Sequence, residues 1–410
     1  MTATTQPMIA LPTAKDEFSL LGTLSLYIHI PFCQAKCHYC DFNSYAGLLG
    51  WREPYIEALL REIAWAGGLA RRSGMAGRPV DRPWPCRTIF FGGGTPSLLT
   101  AGQVRQVLAA AQRAFAVQAD AEVTLEANPG TLAEAHLAAL RAAGVNRLSM
   151  GAQSFDAGLL RWMGRIHSPE EIESAFHLAR RVGFDNINLD FIFGLPNQRM
   201  EQWEATLDRA LALAPDHLSL YALIVEEGTP LHSWVEQGRV RPADEDLAAE
   251  MYLLAQRKLA GAGYEQYEIS NWAKPGKACQ HNLTYWRNLP YLGVGAGAHS
   301  CFGGRRFSTA LKVRDYIERV KQDGQAVVES EVIKPELEMA ETAMLALRLN
   351  AGLSLALFER RYGISFEQVF GVRLEPVKAA GLLEWRDGWV RLSEQGRLLG
   401  NEVFMCLLPE

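Results

Sequence analysis

The sequence predicts an α/β fold, a partial (β/α)6 barrel followed by a C-terminal α+β winged-helix-like domain. Two patterns lead there. Short apolar runs alternate with amphipathic helical patterns six times before about residue 262, which implies right-handed βαβ crossovers and a parallel sheet. Six repeats fall short of the usual eight-fold barrel, leaving an open or partial barrel, with a doubly wound sheet as the alternative. From Glu336 the pattern changes to three helices and a hairpin.

Strands are expected at Leu24 to Ile30, Thr88 to Phe91, Val123 to Leu125, Arg147 to Met150, Asn186 to Leu189 and His217 to Tyr221. The helices between them read as Pro54 to Leu69, Ala101 to Phe115, Leu132 to Ala143, Pro169 to Val182, Glu201 to Leu213 and Asp244 to Ala260, with Leu and Ala at three- and four-residue spacing. Residues 1–20 read as a flexible tail, and the Gly- and Arg-rich stretch 66–87 as a surface excursion. The barrel is expected over 21–262, a Gly-dense connecting segment over 263–330, and the C-terminal domain over 331–410. In the last, helices near Glu336 to Leu349, Leu355 to Tyr362 and Phe366 to Ala380 precede a hairpin that turns at Asp387-Gly388.

Composition narrows the function. With 48% hydrophobic and 21% charged residues the chain is globular rather than disordered. A net charge of -5 lacks the basic surplus that phosphate backbones demand, so nucleic acid is not an expected partner, and the winged-helix-like domain reads as a packing or lid domain. Three of the seven cysteines crowd between Cys33 and Cys40, which suits metal binding in a reducing compartment better than disulfides. The first twenty residues lack a basic start and an apolar core, and no apolar run approaches a membrane span, so a cytoplasmic location is expected.

Cys33, Cys37 and Cys40 follow the first strand in C-x-x-x-C-x-x-C spacing, within Tyr27-Ile-His-Ile-Pro-Phe-Cys-Gln-Ala-Lys-Cys-His-Tyr-Cys-Asp-Phe-Asn. Three thiolates serve three corners of a 4Fe-4S cluster and leave one iron open, whereas zinc wants four ligands. His38, between two cysteines, keeps a Cys3His zinc site as the alternative. The loop resembles that of the radical S-adenosylmethionine (SAM) superfamily. That resemblance implies SAM on the open iron and its reductive cleavage by an electron from the cluster.

Polar residues gather where the other strands end. Gly92-Gly93-Gly94-Thr95-Pro96-Ser97 follows the second strand, and such glycines let backbone approach a zwitterion closely. Glu126, Gln153 and Asp190 close the third, fourth and fifth strands, and Arg165 in Gly-Arg-Ile-His can pair bidentately with a carboxylate. Singly, each is equally a surface or capping residue, Asp190 a helix N-cap for one.

These blocks, with Glu-Ala-Asn-Pro-Gly, Gly-Ala-Gln-Ser-Phe and Phe-Gly-Leu-Pro, resemble the coproporphyrinogen III oxidase-like branch along nearly the whole chain. It holds the oxygen-independent oxidases, HemN, and the haem chaperones, HemW. The resemblance implies SAM contacts at Tyr27, Tyr39, Gly93, Gly94, Thr95, Glu126, Gln153, Arg165 and Asp190.

Two features point to the chaperones. Phe42 stands where the oxidases carry a further cysteine, and Cys279-Gln-His281-Asn282-Leu-Thr-Tyr285-Trp286 is similar to the chaperones' H-N-x-x-Y-W motif, associated with haem binding. Imidazole ligates haem iron, Tyr and Trp can lie on a porphyrin face, and Asn282 can hold a ring nitrogen or a propionate. A His beside aromatics is also a common packing residue, and Cys279 is a second potential ligand. Cys86, Cys301 and Cys406 read as packing or surface thiols. The expected function is delivery of haem to apo-haemoproteins such as respiratory enzymes at the membrane, reached by peripheral contact. The alternatives are oxidative decarboxylation of coproporphyrinogen III and radical chemistry such as methyl transfer on another aromatic substrate.

Overall fold

The structure, a computed structural model, describes residues 20–73 and 80–409. The expected N-terminal tail, Leu20 apart, lies outside the described residues. Seventeen strands follow: β1 (Leu24–Ile30), β2 (Phe32–Cys33), β3 (Tyr45–Ala46), β4 (Pro85–Gly93), β5 (Ala116–Ala127), β6 (Arg147–Gln153), β7 (Ile187–Phe193), β8 (His217–Ala222), β9 (Glu265–Glu268), β10 (Asn271–Ala273), β11 (Tyr291–Val294), β12 (His299–Phe302), β13 (Arg305–Thr309), β14 (Val327–Val332), β15 (Leu353–Ser354), β16 (Leu383–Arg386) and β17 (Trp389–Leu392).

The six expected strands are β1, β4, β5, β6, β7 and β8, parallel and side by side in chain order. Each strand lies beside its successor with no reversal, which is the barrel order and rules out the doubly wound alternative. Six of the seven residues of β1 are buried, as a strand covered on both faces requires. The crossover helices start on local signals: Thr100 with Gln103 and Ser168 with Glu171 form capping boxes, and Asp156 and Asp244 cap through their carboxylates.

Two boundaries differ from expectation. Residues 66–72 are the last turns of helix Arg52–Arg72, and Trp84 and Cys86 are buried, so much of 66–87 is not a surface excursion. Gly67 is allowed in that helix because Ala114 of the next one packs against it, where a Cβ would meet the Ala114 methyl at 2.7 Å.

Residues 263–330 do more than connect. They place β11 parallel to β1 on its free side, continue through antiparallel β12, β13 and β14, and add antiparallel β10 and β9 beyond β8. The result is one twelve-stranded sheet. These strands are three to six residues long, and β14 is almost wholly exposed, so none carries the apolar run that marks a central strand.

The C-terminal domain has its own core, including Phe358, Phe366, Phe370, Leu374, Val390 and Val403. Helices Pro335–Ala346, Leu355–Tyr362 and Phe366–Ala379 pack with the sheet β15-β17-β16. Asp387 and Gly388 both take positive φ, 54° and 81°, the two-residue turn that matches strand twist. Asn288 to Thr342 (2.9 Å), Arg306 to Glu341 (2.6 Å) and Asn350 N–H to the Tyr267 carbonyl (3.0 Å) join this domain to the barrel. Among the described residues no helix is long and apolar enough to cross a membrane.

Candidate functional site

The cysteine loop leaves the C-terminal end of β1 and is closed by β2 on β3, with Phe32 opposite Tyr45 and Cys33 opposite Ala46. The glycine loop after β4 is strapped to it, with Gly94 N–H on the Ile30 carbonyl and Thr95 N–H on the Phe32 carbonyl, both at 2.8 Å. A Cβ at Gly94 would sit 2.7 Å from the Phe32 oxygen, so only glycine permits this contact.

All three thiols are unbridged, and each sulfur has a polar neighbour. The Thr95 hydroxyl lies 3.5 Å from Cys33 Sγ, Arg165 Nη1 3.4 Å from Cys37 Sγ, and the Ser44 hydroxyl 4.0 Å from Cys40 Sγ. Tyr39 stands between Cys37 and Arg165, its phenol pushed up by burial. His38 Nδ1 donates to the Trp162 carbonyl at 2.9 Å, and its ring packs edge-on against Trp234. Among the described residues no group of three or more His, Cys, Asp or Glu side chains is drawn together tightly enough to hold a single metal ion.

The strand-end residues fall into two groups. Arg165 turns to the cysteine loop while its Nη2 donates to the Gly151 carbonyl at 2.7 Å. Gln153 sits beside it with a left-handed φ of 67°, its Nε2 so close over Gly151 that a Cβ there would be 2.8 Å away. Glu126 and Asp190 face inward instead. Glu126 accepts the Gly93 N–H at 3.1 Å, and its carboxyl is pushed up to about 8, first by burial and then by the Asp190 charge. Asp190 lies within β7 rather than at a helix start, accepts from Asn188 (2.8 Å) and Ser149 (3.2 Å), and is raised by burial. Tyr27 donates to His29 Nδ1 at 3.0 Å, because His29 Nε2 must carry the proton it gives to the Asn43 carbonyl at 2.8 Å.

Helix Gln280–Trp286 brings up the second motif. Glu122 accepts the Gln280 and His281 N–H groups at 3.0 Å each, a carboxylate at a helix N-terminus. His281 is 2% exposed, its Nδ1 bonded to the Thr88 hydroxyl at 2.7 Å and its Nε2 to the Tyr285 hydroxyl at 2.9 Å. Burial and the nearby Arg147 hold its pKa down at about 3, so the ring is neutral. Cys279 is buried beside Glu122, and burial pushes its thiol up to about 12. Asn282 bonds Tyr267 at 3.4 Å. Trp286 is not brought to the same place. Five residues along the helix from His281, it faces the C-terminal domain, where the Arg348 guanidinium stacks 4.7 Å from its ring.

Two cavities adjoin these groups. An inner chamber of about 220 Å³ is lined by Arg147, Asn188, Asp190, His217, His281 and Asn282 among others. An outer one of about 370 Å³ is lined by His29, Phe42, Asn43, Gly93, Tyr291 and His299 among others. Tyr27, Glu126 and Tyr285 line both and so form the partition.

The radical SAM superfamily is matched over residues 27–210 and the HemN C-terminal domain over residues 333–399. The chain is 39% identical to Heme chaperone HemW of Bacillus subtilis over 387 residues, 94% of this chain and 99% of that one. It is 38% identical to Heme chaperone HemW of Escherichia coli over 395 residues, 95% and 99% of the two chains. The chain belongs to the HemW family. A mouse relative, Radical S-adenosyl methionine domain-containing protein 1, mitochondrial, is 37% identical over 94% of this chain and 87% of its own. Among solved structures, coproporphyrinogen III oxidase (HemN) of Escherichia coli superposes with a TM-score of 0.79 at 25% identity, covering 97% of this chain and 93% of that one.

Radical SAM membership implies a 4Fe-4S cluster and SAM for this HemW-family chain. The site fits both: three free thiols on one closed loop, each beside a hydroxyl or guanidinium, and a glycine cradle that a single Cβ would fill. Several residues at the site escaped sequence reading. His29 shares a strand face with Tyr27 by two-residue alternation, a usable signal. Arg147 opens β6 and shows as a charge at the start of an apolar strand. His299, Tyr291 and Glu122 carry no local signal, because they lie on strands that the six-fold rhythm does not reveal or at positions that only the assembled sheet brings together.

Proposed function

We propose that this chain binds haem and hands it to apo-haemoproteins, and does not decarboxylate coproporphyrinogen III. The observation that carries this reading is the end-to-end match at 38–39% identity to proteins named Heme chaperone HemW, against 25% to the oxidase of the same fold. Phe42 supports it: exposed at the outer cavity, it holds the sequence position at which the oxidase pattern carries a cysteine.

The residues divide the work as follows. Cys33, Cys37 and Cys40 hold the cluster, while Thr95 and Arg165 place hydrogen-bond donors on two of the sulfurs. When bound, the cluster supplies a one-electron donor and an open iron for SAM. Tyr27, Tyr39, Gly93, Gly94, Thr95, Glu126, Gln153, Arg165 and Asp190 cradle SAM, with Glu126 taking the ammonium and Arg165 the carboxylate. His281, Asn282 and Tyr285 order the wall against which haem docks; Trp286 ties that wall to the C-terminal domain. The chain works in the cytoplasm, and its clients are respiratory enzymes met by peripheral membrane contact. A direct test mixes the haem-loaded protein with an apo-cytochrome and follows the Soret band. Transfer faster than from free haem supports the reading, and retention of haem by the donor contradicts it.

A further inference from the structure

The motif histidine is poorly placed to ligate iron. Thr88 and Tyr285 occupy both nitrogens of His281, at 2.7 and 2.9 Å, on a ring that is 2% exposed. Freeing Nε2 would leave the buried Tyr285 hydroxyl without its partner, a cost of about 1–3 kcal/mol, and freeing Nδ1 would break the bond to Thr88, whose hydroxyl already donates to Ser25. His299 differs on every count. It opens β12, is exposed, lines the outer cavity, and has no side-chain hydrogen-bond partner among the described residues.

Its surroundings suit a flat apolar ring. Phe42 and Tyr291 line the same cavity, and Phe42 is 62% exposed. Leu311, 60% exposed, lies beside Gly297 of that wall, its Cδ2 only 3.1 Å from where a Cβ would stand. Unburied apolar side chains gathered at a cavity mouth mark a surface meant to be covered. Lys36 supplies positive charge close by, its ammonium donating to the Phe42 and Ser44 carbonyls at 3.2 Å. An aromatic chain links this mouth to the motif: His281 bonds Tyr285, and Tyr285 packs edge-on against Tyr291 at 4.8 Å.

We infer that His299 supplies the axial imidazole to haem iron at the outer end of this cavity, with the porphyrin against Phe42 and Tyr291 and with Tyr27, Gly93 and Glu126 left to SAM at its inner end. His281 is a positioning residue that acts through Tyr285. The inference rests on the haem-binding reading and names the ligand within it. It also accounts for hand-over, since a ring held at an open mouth leaves an edge for an acceptor to grasp.

The test is anaerobic haem titration of the full-length, cluster-loaded protein, read by the Soret band and by electron paramagnetic resonance of the ferric iron. His299→Ala is expected to weaken haem binding by at least about a hundredfold, since losing an outer-shell partner alone costs about 10–100-fold, and to remove the imidazole signature. His299→Met is expected to keep haem with an altered signature. His281→Ala is expected to weaken binding while the native signature persists. The inference is overturned if His299→Ala keeps native affinity and signature, or if only His281→Ala loses the imidazole. Absence of haem binding by the native protein would instead remove the chaperone reading, and the inference with it. Cluster content and circular dichroism, unchanged across the set, exclude misfolding.

Discussion

Arg165 spans the site: its Nη1 lies 3.4 Å from Cys37 Sγ, and its Nη2 donates to the Gly151 carbonyl at 2.7 Å. One guanidinium thereby locks the cysteine loop to the end of β6 and presents its charge where the SAM carboxylate is proposed to lie. A charged hydrogen bond contributes about 1.5–3 kcal/mol. Arg165→Met should therefore weaken SAM binding by roughly tenfold or more and reduce iron retention, measured by equilibrium dialysis and iron content. Arg165→Lys should not restore either, because an ammonium cannot serve both partners in the fork geometry. Full rescue by lysine would refute the double role.

Glu126, proposed to take the SAM ammonium, should make SAM affinity depend on pH. Its carboxyl titrates at about 8, raised mainly by burial and by Asp190, so much of it is protonated at neutral pH. Only the ionised form attracts the SAM ammonium. Affinity should rise between pH 6 and 8, by at most roughly tenfold per unit, and level off above. Glu126→Gln should flatten the profile, and a slope that survived it would assign the titration elsewhere.

Acid should destabilise the chain through His281. Its folded pKa of about 3 lies below the unfolded value near 6.5, so between these the unfolded state binds the extra proton and stability falls as pH falls. His167, lowered to about 4, and His217, lowered well below its usual value, both chiefly by burial, act in the same direction. From pH 7 to 5 the native protein should lose about 2 kcal/mol more than His281→Gln in urea unfolding. Equal losses in the two proteins would place the acid sensitivity elsewhere.

Trp286 separates motif from mechanism. Its ring stacks on Arg348 at the seam with the C-terminal domain and lines neither cavity. Trp286→Leu should lower thermal stability by about 1–2 kcal/mol, a cation–π contact's worth, and leave the haem spectrum unchanged. A shifted Soret band with unaltered stability would return Trp286 to the porphyrin.

The six parallel strands were legible because strands buried on both faces read as apolar runs and their crossovers as capped amphipathic helices. The cysteine spacing and Gly92-Gly93-Gly94 were legible because a metal ligand set and a close backbone approach constrain adjacent residues. What stayed hidden depends on distant pairing. His299 becomes part of the site only because β11 docks beside β1 and β12 turns back on β11, and no local pattern in this Gly-rich stretch foretells that. His281 and Trp286 read as one motif, yet helical geometry sends one ring inward and the other to the domain seam.

The central claim is haem binding without porphyrin decarboxylation. The most direct measurement incubates the anaerobic, cluster-loaded protein with SAM and reductant, plus either haem or coproporphyrinogen III, and follows the Soret band and the porphyrin products together. The account predicts a stable haem complex and unchanged coproporphyrinogen III; formation of protoporphyrinogen IX would contradict it.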